Sequence, residues 1–189
     1  MIEQLLEYDT ELFLFLNNLG SEPWDNLWLI ITNKLTFIPL YAVLLFLLYK
    51  KFGAKSLLVF VIVVALMITF TDQITNVFKR GFERPRPCGN QSINDAMRMV
   101  AAYCGKYGFF SGHSSNSMAA AVFAGLALRP YYKNLIFILL FWSAVVAYSR
   151  IYVGVHYPLD IICGMTFGAI SGYLFYKLSQ YLLKRFIQA

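Results

Sequence analysis

Long apolar runs alternate with short polar breaks along the chain. Residues 2–19 differ, because Glu3, Glu7, Asp9 and Glu11 interrupt the leucines and Phe13. Leu5, Leu6, Leu12, Phe13, Leu16 and Leu19 allow an amphipathic helix lying in a membrane interface, and Gly20 to Pro23 breaks it. Five predominantly apolar runs follow, and each is read as a membrane span. They cover about Trp24 to Tyr49, Ser56 to Phe78, His113 to Leu128, Leu135 to Tyr148 and Pro158 to Leu183. Pro39 should kink the first span, and Lys34 within it should snorkel outward. Gly164, Gly168 and Gly172 recur at four-residue spacing, which predicts a ridge for close helix contact. The predicted fold is all-α: a polytopic membrane helix bundle of five transmembrane helices plus the N-terminal amphipathic helix. Residues 1–189 are read as a single domain.

Composition sharpens this reading. The 189 residues are 59% hydrophobic and 14% charged, against roughly 45–50% and about 25% in a soluble domain. A water-soluble core is excluded. The formal charge of +6 would suit a nucleic-acid binder, but the cations cluster at the ends of apolar runs, as membrane topology requires. The expected partners are therefore the bilayer and its lipids, with no nucleic acid. The N-terminus is acidic where a secretory signal would be basic. With five spans, residues 50–55, 129–134 and the C-terminal tail share one side, and positive-inside counting makes it cytoplasmic. The long connection 79–112 and the 149–157 turn then face outward. Raw cation counts are nearly balanced between the sides. The orientation is kept because the outward cations have an anion to bind. Cys88 and Cys104 lie in that outer connection, where an oxidising compartment would let them pair.

The parity brings three separated segments to one membrane face: residues 79–87, 111–117 and 149–160. They carry Lys79, Arg86, Arg150, His113, His156 and Asp160. An Arg or Lys inside a bilayer costs about 2.5–3.5 kcal/mol on insertion scales, and gathered cations repel. A phosphate among them relieves both penalties. Ser111 and Gly112 precede a helix, so their backbone N–H groups can point at a phosphate oxygen; the plainer reading is an N-cap. Asp160 lies four residues past His156, and Pro158 suits the first turn of a helix between them. Asp160 can hold one imidazole nitrogen, which makes His156 the nucleophile. His113 can protonate the leaving oxygen and then activate water. Two histidines and an aspartate also make a zinc trio, which the surrounding cations disfavour. Asp72, inside the second span, either orients a cation such as Lys79 or makes a hydrogen bond between spans. Arg80, Arg84, Arg98 and Lys106 are expected to solvate the loop.

These residues resemble the type-2 phosphatidic acid phosphatases, the lipid phosphate phosphatases related to vanadium haloperoxidases. Lys79, Arg86 and Pro87 match the family's K-x6-R-P motif. Ser111, Gly112 and His113 match P-S-G-H, with Phe110 in place of the proline. Ser149, Arg150, His156 and Asp160 match S-R-x5-H-x3-D in full. The resemblance implies a membrane hydrolase working through a phosphohistidine at His156 with no metal or other cofactor. Lys79, Arg86, Ser111, Gly112 and Arg150 would hold the phosphoryl oxygens. It also implies a core of six helices, in which residues 2–19 would count as the sixth, spanning or not. The expected substrate is undecaprenyl diphosphate, hydrolysed at the outer or periplasmic face of the cell (inner) membrane. Phosphatidylglycerol phosphate, phosphatidic acid and lipid A 1-phosphate are the alternatives. A phospholipid transporter or binding protein using the same cations without chemistry is the rival from another class.

Overall fold

The computed structural model describes residues 2–187. Among these residues there are six α-helices: α1 (Ile2–Asn18), α2 (Glu22–Thr32), α3 (Ile38–Phe82), α4 (Gly112–Leu128), α5 (Leu135–Tyr152) and α6 (Pro158–Phe186). Among the described residues the only β-type pairing is an isolated bridge between Pro85 and Tyr107. The elements from Lys34 to Phe82, α5 and α6 are long and apolar enough to cross a membrane. The shorter α4 packs against α3, α5 and α6, and much of its surface is buried.

The first expected span is two pieces rather than one kinked helix. α2 stops at Thr32, a 3-10 turn covers Lys34–Phe37, and Asn33 caps that turn by accepting from Leu35 N–H. Pro39 then sits in the first turn of α3, where its missing N–H costs nothing. It starts a helix instead of bending one.

α3 holds 45 residues and breaks at Gly53, whose φ is +77°. A straight helix of that length would reach about 68 Å, over twice the roughly 30 Å of bilayer hydrocarbon. The chain instead doubles back at Gly53. Phe52 meets Phe60 edge-on at 5.1 Å, and Leu44 and Leu48 of the first limb share a core with Phe60, Val63 and Met67 of the second. The polar loop expected at residues 50–55 is thus reduced to a break at one glycine. At this end Lys51 Nζ lies 4.9 Å from the Tyr131 ring centre, so the Gly53 break and the 129–134 turn share one end of the bundle.

The glycine ridge of α6 packs on α4 as its spacing predicts. A Cβ added at Gly164, Gly168 or Gly172 would lie 2.6, 2.2 or 2.5 Å from the backbone oxygens of Ser111, Ser115 and Ala119. Only a bare backbone allows that approach.

α1 meets the rest of the protein through a narrow stripe. Asp9, Phe13 and Asn17 are buried, while Leu5, Leu6, Leu12 and Leu19 stay exposed. The face against the protein therefore carries two polar anchors, and most of the leucines are left for lipid. Asn17 donates to the carbonyls of Arg98, Ile151 and Tyr152, each at 3.0 Å, and accepts from Arg98 N–H at 2.7 Å. It caps the end of α5 from a distant element, satisfying carbonyls the helix cannot satisfy itself.

The 83–111 connection is folded onto the same end. Gly108 N–H donates to Arg84 O at 2.9 Å, and Cys88 and Cys104 form a disulfide with Cα atoms 6.0 Å apart. Arg98 does not solvate the loop as expected. It pairs with both oxygens of Asp25 at 2.8 and 2.9 Å, because Asp25 is held beside it by Tyr152 Oη at 2.8 Å. Arg80 and Lys106 are exposed, as expected.

Candidate active site

The site forms where α4 and α6 begin and α5 ends. α5 stops at Tyr152, and the tight 153–157 turn needs Gly154 at φ +83°. Val155 and His156 N–H both donate to Arg150 O, which folds His156 back over the helix end. Pro158 then opens α6, and Asp160 in its first turn accepts from Tyr157 N–H at 3.1 Å. The same oxygen meets His156 Nδ1 at 3.1 Å. His156 is 2% exposed and Asp160 is fully buried. The sequence spacing therefore produces the expected imidazole–carboxylate pair.

Cations surround the pair. Burial first, then the charges of Arg86, Arg150, Lys79 and Arg84, hold the His156 imidazole well below its ordinary 6.5. The imidazole is therefore neutral in the resting protein. Burial also lowers the Arg86 guanidinium, whose Nε donates to Tyr107 O at 3.0 Å. Arg150 donates one amino group to Thr32 Oγ1, and its Nε is buried without a partner. That free donor can face a phosphate oxygen. Gly108 lies against the pair so closely that a Cβ there would be 2.9 Å from Asp160 Oδ2.

Ser111 caps α4, its Oγ accepting from Ser114 N–H. Its own N–H donates to Asp160 O at 3.0 Å, so that group is not free for phosphate as expected. Gly112 and His113, the first helical residues, keep their N–H groups at the start of α4. A Cβ at Gly112 would be 3.8 Å from Lys79 Nζ, which places the ammonium at the same helix end. His113 lies within electrostatic reach of Arg150, Lys34, His156 and Lys79. All eight predicted site residues thus gather at one end of the bundle. Among the described residues no three His, Cys, Asp or Glu side chains gather as a metal-holding group.

Asp72 makes the hydrogen bond between spans, accepting from Asn116 Nδ2 at 2.7 Å. Phe110 packs against Phe78 and Phe167 at 5.2 Å each, filling the proline position with an aromatic contact.

Three residues escaped the sequence reading. Lys34 is exposed, and it also lines a cavity of about 390 Å³ together with Asp72, His113 and Asn116. The far wall is apolar, with Leu44, Leu48, Ile68, Phe123 and Trp142. A cation within an apolar run was a signal for function. Arg84, expected to solvate the loop, bridges Asp9 at 2.5 Å and Asp160 at 2.9 Å. Asp9 is 4% exposed and also accepts from Leu159 N–H at 2.8 Å. No linear pattern joins residues 75 positions apart.

Comparison with known proteins accords with this geometry. The profile of the PAP2 superfamily matches residues 56–184. A lipid A 4'-phosphatase of Bacteroides thetaiotaomicron is 37% identical over 98% of this chain and 83% of its own. A lipid A 4'-phosphatase of Porphyromonas gingivalis is 36% identical over 100% of this chain and 80% of its own. Among solved structures, a transmembrane PAP2-type phosphatidylglycerolphosphate phosphatase from Bacillus subtilis superposes with a TM-score of 0.76. It is 17% identical and covers 95% of this chain and 88% of its own. Aquifex aeolicus LpxE gives 0.67 at 23% identity over 88% and 93%. The three motifs, their convergence at one end of a membrane bundle, and these relatives lead to one conclusion: the chain belongs to the PAP2 superfamily and is an integral membrane lipid phosphatase.

Proposed function

We propose that this protein removes a phosphate from lipid A, at the 4' position, on the periplasmic face of the inner membrane. The observation that carries the chemistry is the His156–Asp160 pair at 3.1 Å inside a ring of cations. Binding alone would not need that pair. The choice of lipid A over undecaprenyl diphosphate rests on the two lipid A 4'-phosphatases that align with nearly the whole chain. The Cys88–Cys104 disulfide in the connection over the site supports an oxidising, periplasmic exposure. The apolar cavity beside His113 suits an acyl chain.

Asp160 holds Nδ1 of His156, so Nε2 attacks phosphorus. The P–O bond to the sugar breaks, a ring nitrogen of His113 gives its proton to the departing oxygen, and a phosphohistidine remains. Lys79, Arg86, Arg150, the Ser111 hydroxyl and the Gly112 N–H hold the phosphoryl oxygens and stabilise their developing charge. His113 then takes a proton from water as the water oxygen bonds to phosphorus. The P–N bond breaks and inorganic phosphate leaves.

The test is phosphate release by purified protein in detergent with chelator present, from lipid A, undecaprenyl diphosphate, phosphatidylglycerol phosphate and phosphatidic acid. Lipid A should be hydrolysed fastest, mass spectrometry should place the loss at the 4' position, and His156→Ala should abolish it. Preference for undecaprenyl diphosphate would overturn the substrate assignment. Activity lost to the chelator would restore the zinc reading, and binding without release would favour a lipid-binding protein.

A further inference from the structure

We propose that Arg84 and Asp9 are positioning residues that fix the Asp160 carboxylate, and through it His156, so that the amphipathic helix α1 is part of the phosphoryl-transfer apparatus. This rests on the phosphohistidine reading above. Asp160 is fully buried and has two oxygens to satisfy. One serves His156 Nδ1 and Tyr157 N–H; the other takes Arg84 Nη1 at 2.9 Å. The second arm of Arg84 reaches Asp9 at 2.5 Å. Asp9 anchors itself on Leu159 N–H, in the first turn of α6. The guanidinium also lies over the Tyr157 ring, 4.3 Å from its centre, and Phe13 of α1 meets the same ring edge-on at 5.4 Å. Both arms of Arg84 are therefore engaged with carboxylates. That separates it from Arg86 and Arg150, which keep donors for phosphate. A lysine, with one compact charge, cannot span two carboxylates in this way.

The arrangement has a chemical consequence. As Nε2 bonds to phosphorus, the imidazole becomes cationic and its Nδ1–H leans on Asp160. Arg84 draws on the opposite oxygen of that carboxylate, which keeps the proton on nitrogen and the ring in one orientation. The titratable and charged groups facing His156 are Lys79 from α3, Arg84 and Arg86 from the connection, His113 from α4, Arg150 from α5 and Asp160 from α6, with Asp9 of α1 behind Arg84. Removing Arg84 leaves Asp160 with a buried, unpaired oxygen.

Arg84→Gln, Arg84→Lys and Asp9→Asn are compared with wild type on whichever lipid phosphate the wild type hydrolyses. Exposed Arg80→Gln is the unaffected control. Arg84→Gln should lower kcat by about 10- to 100-fold with little change in KM. Its acid limb should move to higher pH, since a carboxylate without its arginine keeps a proton longer. Arg84→Lys should not rescue, and Asp9→Asn should fall between. A rise in KM alone would make Arg84 a substrate ligand, and a lower melting temperature with unchanged kcat and pH profile would make it a structural tie; either overturns the proposal. Nitrogen NMR of the two histidines needs no turnover. His156 should be fixed as the Nδ1–H form in wild type and mixed in Arg84→Gln. An unchanged tautomer would sink the relay whatever the substrate, whereas a wild type inactive on every lipid would sink only the functional reading.

Discussion

Arg80, Arg84 and Arg86 lie within seven positions and meet three fates. Arg80 faces solvent, Arg84 bridges two carboxylates, and Arg86 lies beside the His156–Asp160 pair. Residue type and spacing identify Arg86 through its motif, but only the placement of Asp9 and Asp160 distinguishes Arg84. His156 carries a prediction at this scale. Its folded form resists protonation below 6.5, whereas the unfolded chain takes up a proton there. The unfolded state therefore binds more protons as pH falls, and stability present above pH 6.5 is lost below it. By pH 5 the loss from this group is capped at about 2 kcal/mol, the limit set by the unfolded imidazole alone. Melting temperatures in detergent at pH 5 and 7.5, in phosphate-free buffer, should converge in His156→Gln relative to wild type.

At the scale of elements, the spans are placed by apolar run length and end within a few residues of where the helices end. The exceptions are the places where backbone geometry intervenes. Asn33 and Pro39 split the first span, and Gly53 turns a single 45-residue helix into a hairpin. The contact between α4 and α6 tests how far small residues set the packing. Gly168→Ala should push a methyl against Ser115 O, now 2.2 Å from where it would sit. We expect a cost of about 1–3 kcal/mol and reduced activity, because both helices begin at the site. Gly81→Ala, at a helical position with nothing within 4 Å, should be neutral or stabilising. Thermal melts of the two variants compare them directly, and equal effects would mean that the ridge does not control the packing.

Across the whole molecule, the bundle has two unlike ends. One gathers α1, the disulfide-closed connection and the His156–Asp160 pair with its surrounding cations; the other holds Gly53 and the 129–134 turn with Lys51, Arg129 and Lys133. A membrane that puts the second end in the cytoplasm puts the first outside. After mild reduction, a membrane-impermeant thiol reagent should label Cys88 and Cys104 in intact spheroplasts. Labelling only in inverted vesicles would reverse the orientation.

Run length, cation placement and three short motifs sufficed for the helical membrane class and for the family, and they named eight residues that the fold brings to one end of the bundle, because each depends on local order along the chain. The sequence also foretold the α6 ridge, since helical periodicity puts every fourth glycine on one face. What tertiary structure alone decided is which polar groups find one another across long separations. Asp9 reaches Arg84, Asn17 caps α5, Lys34 joins the cavity, and Ser111 gives its N–H to Asp160. A buried polar group must be paired, but which group pairs it depends on how helices cross in space, and no spacing in the sequence records that.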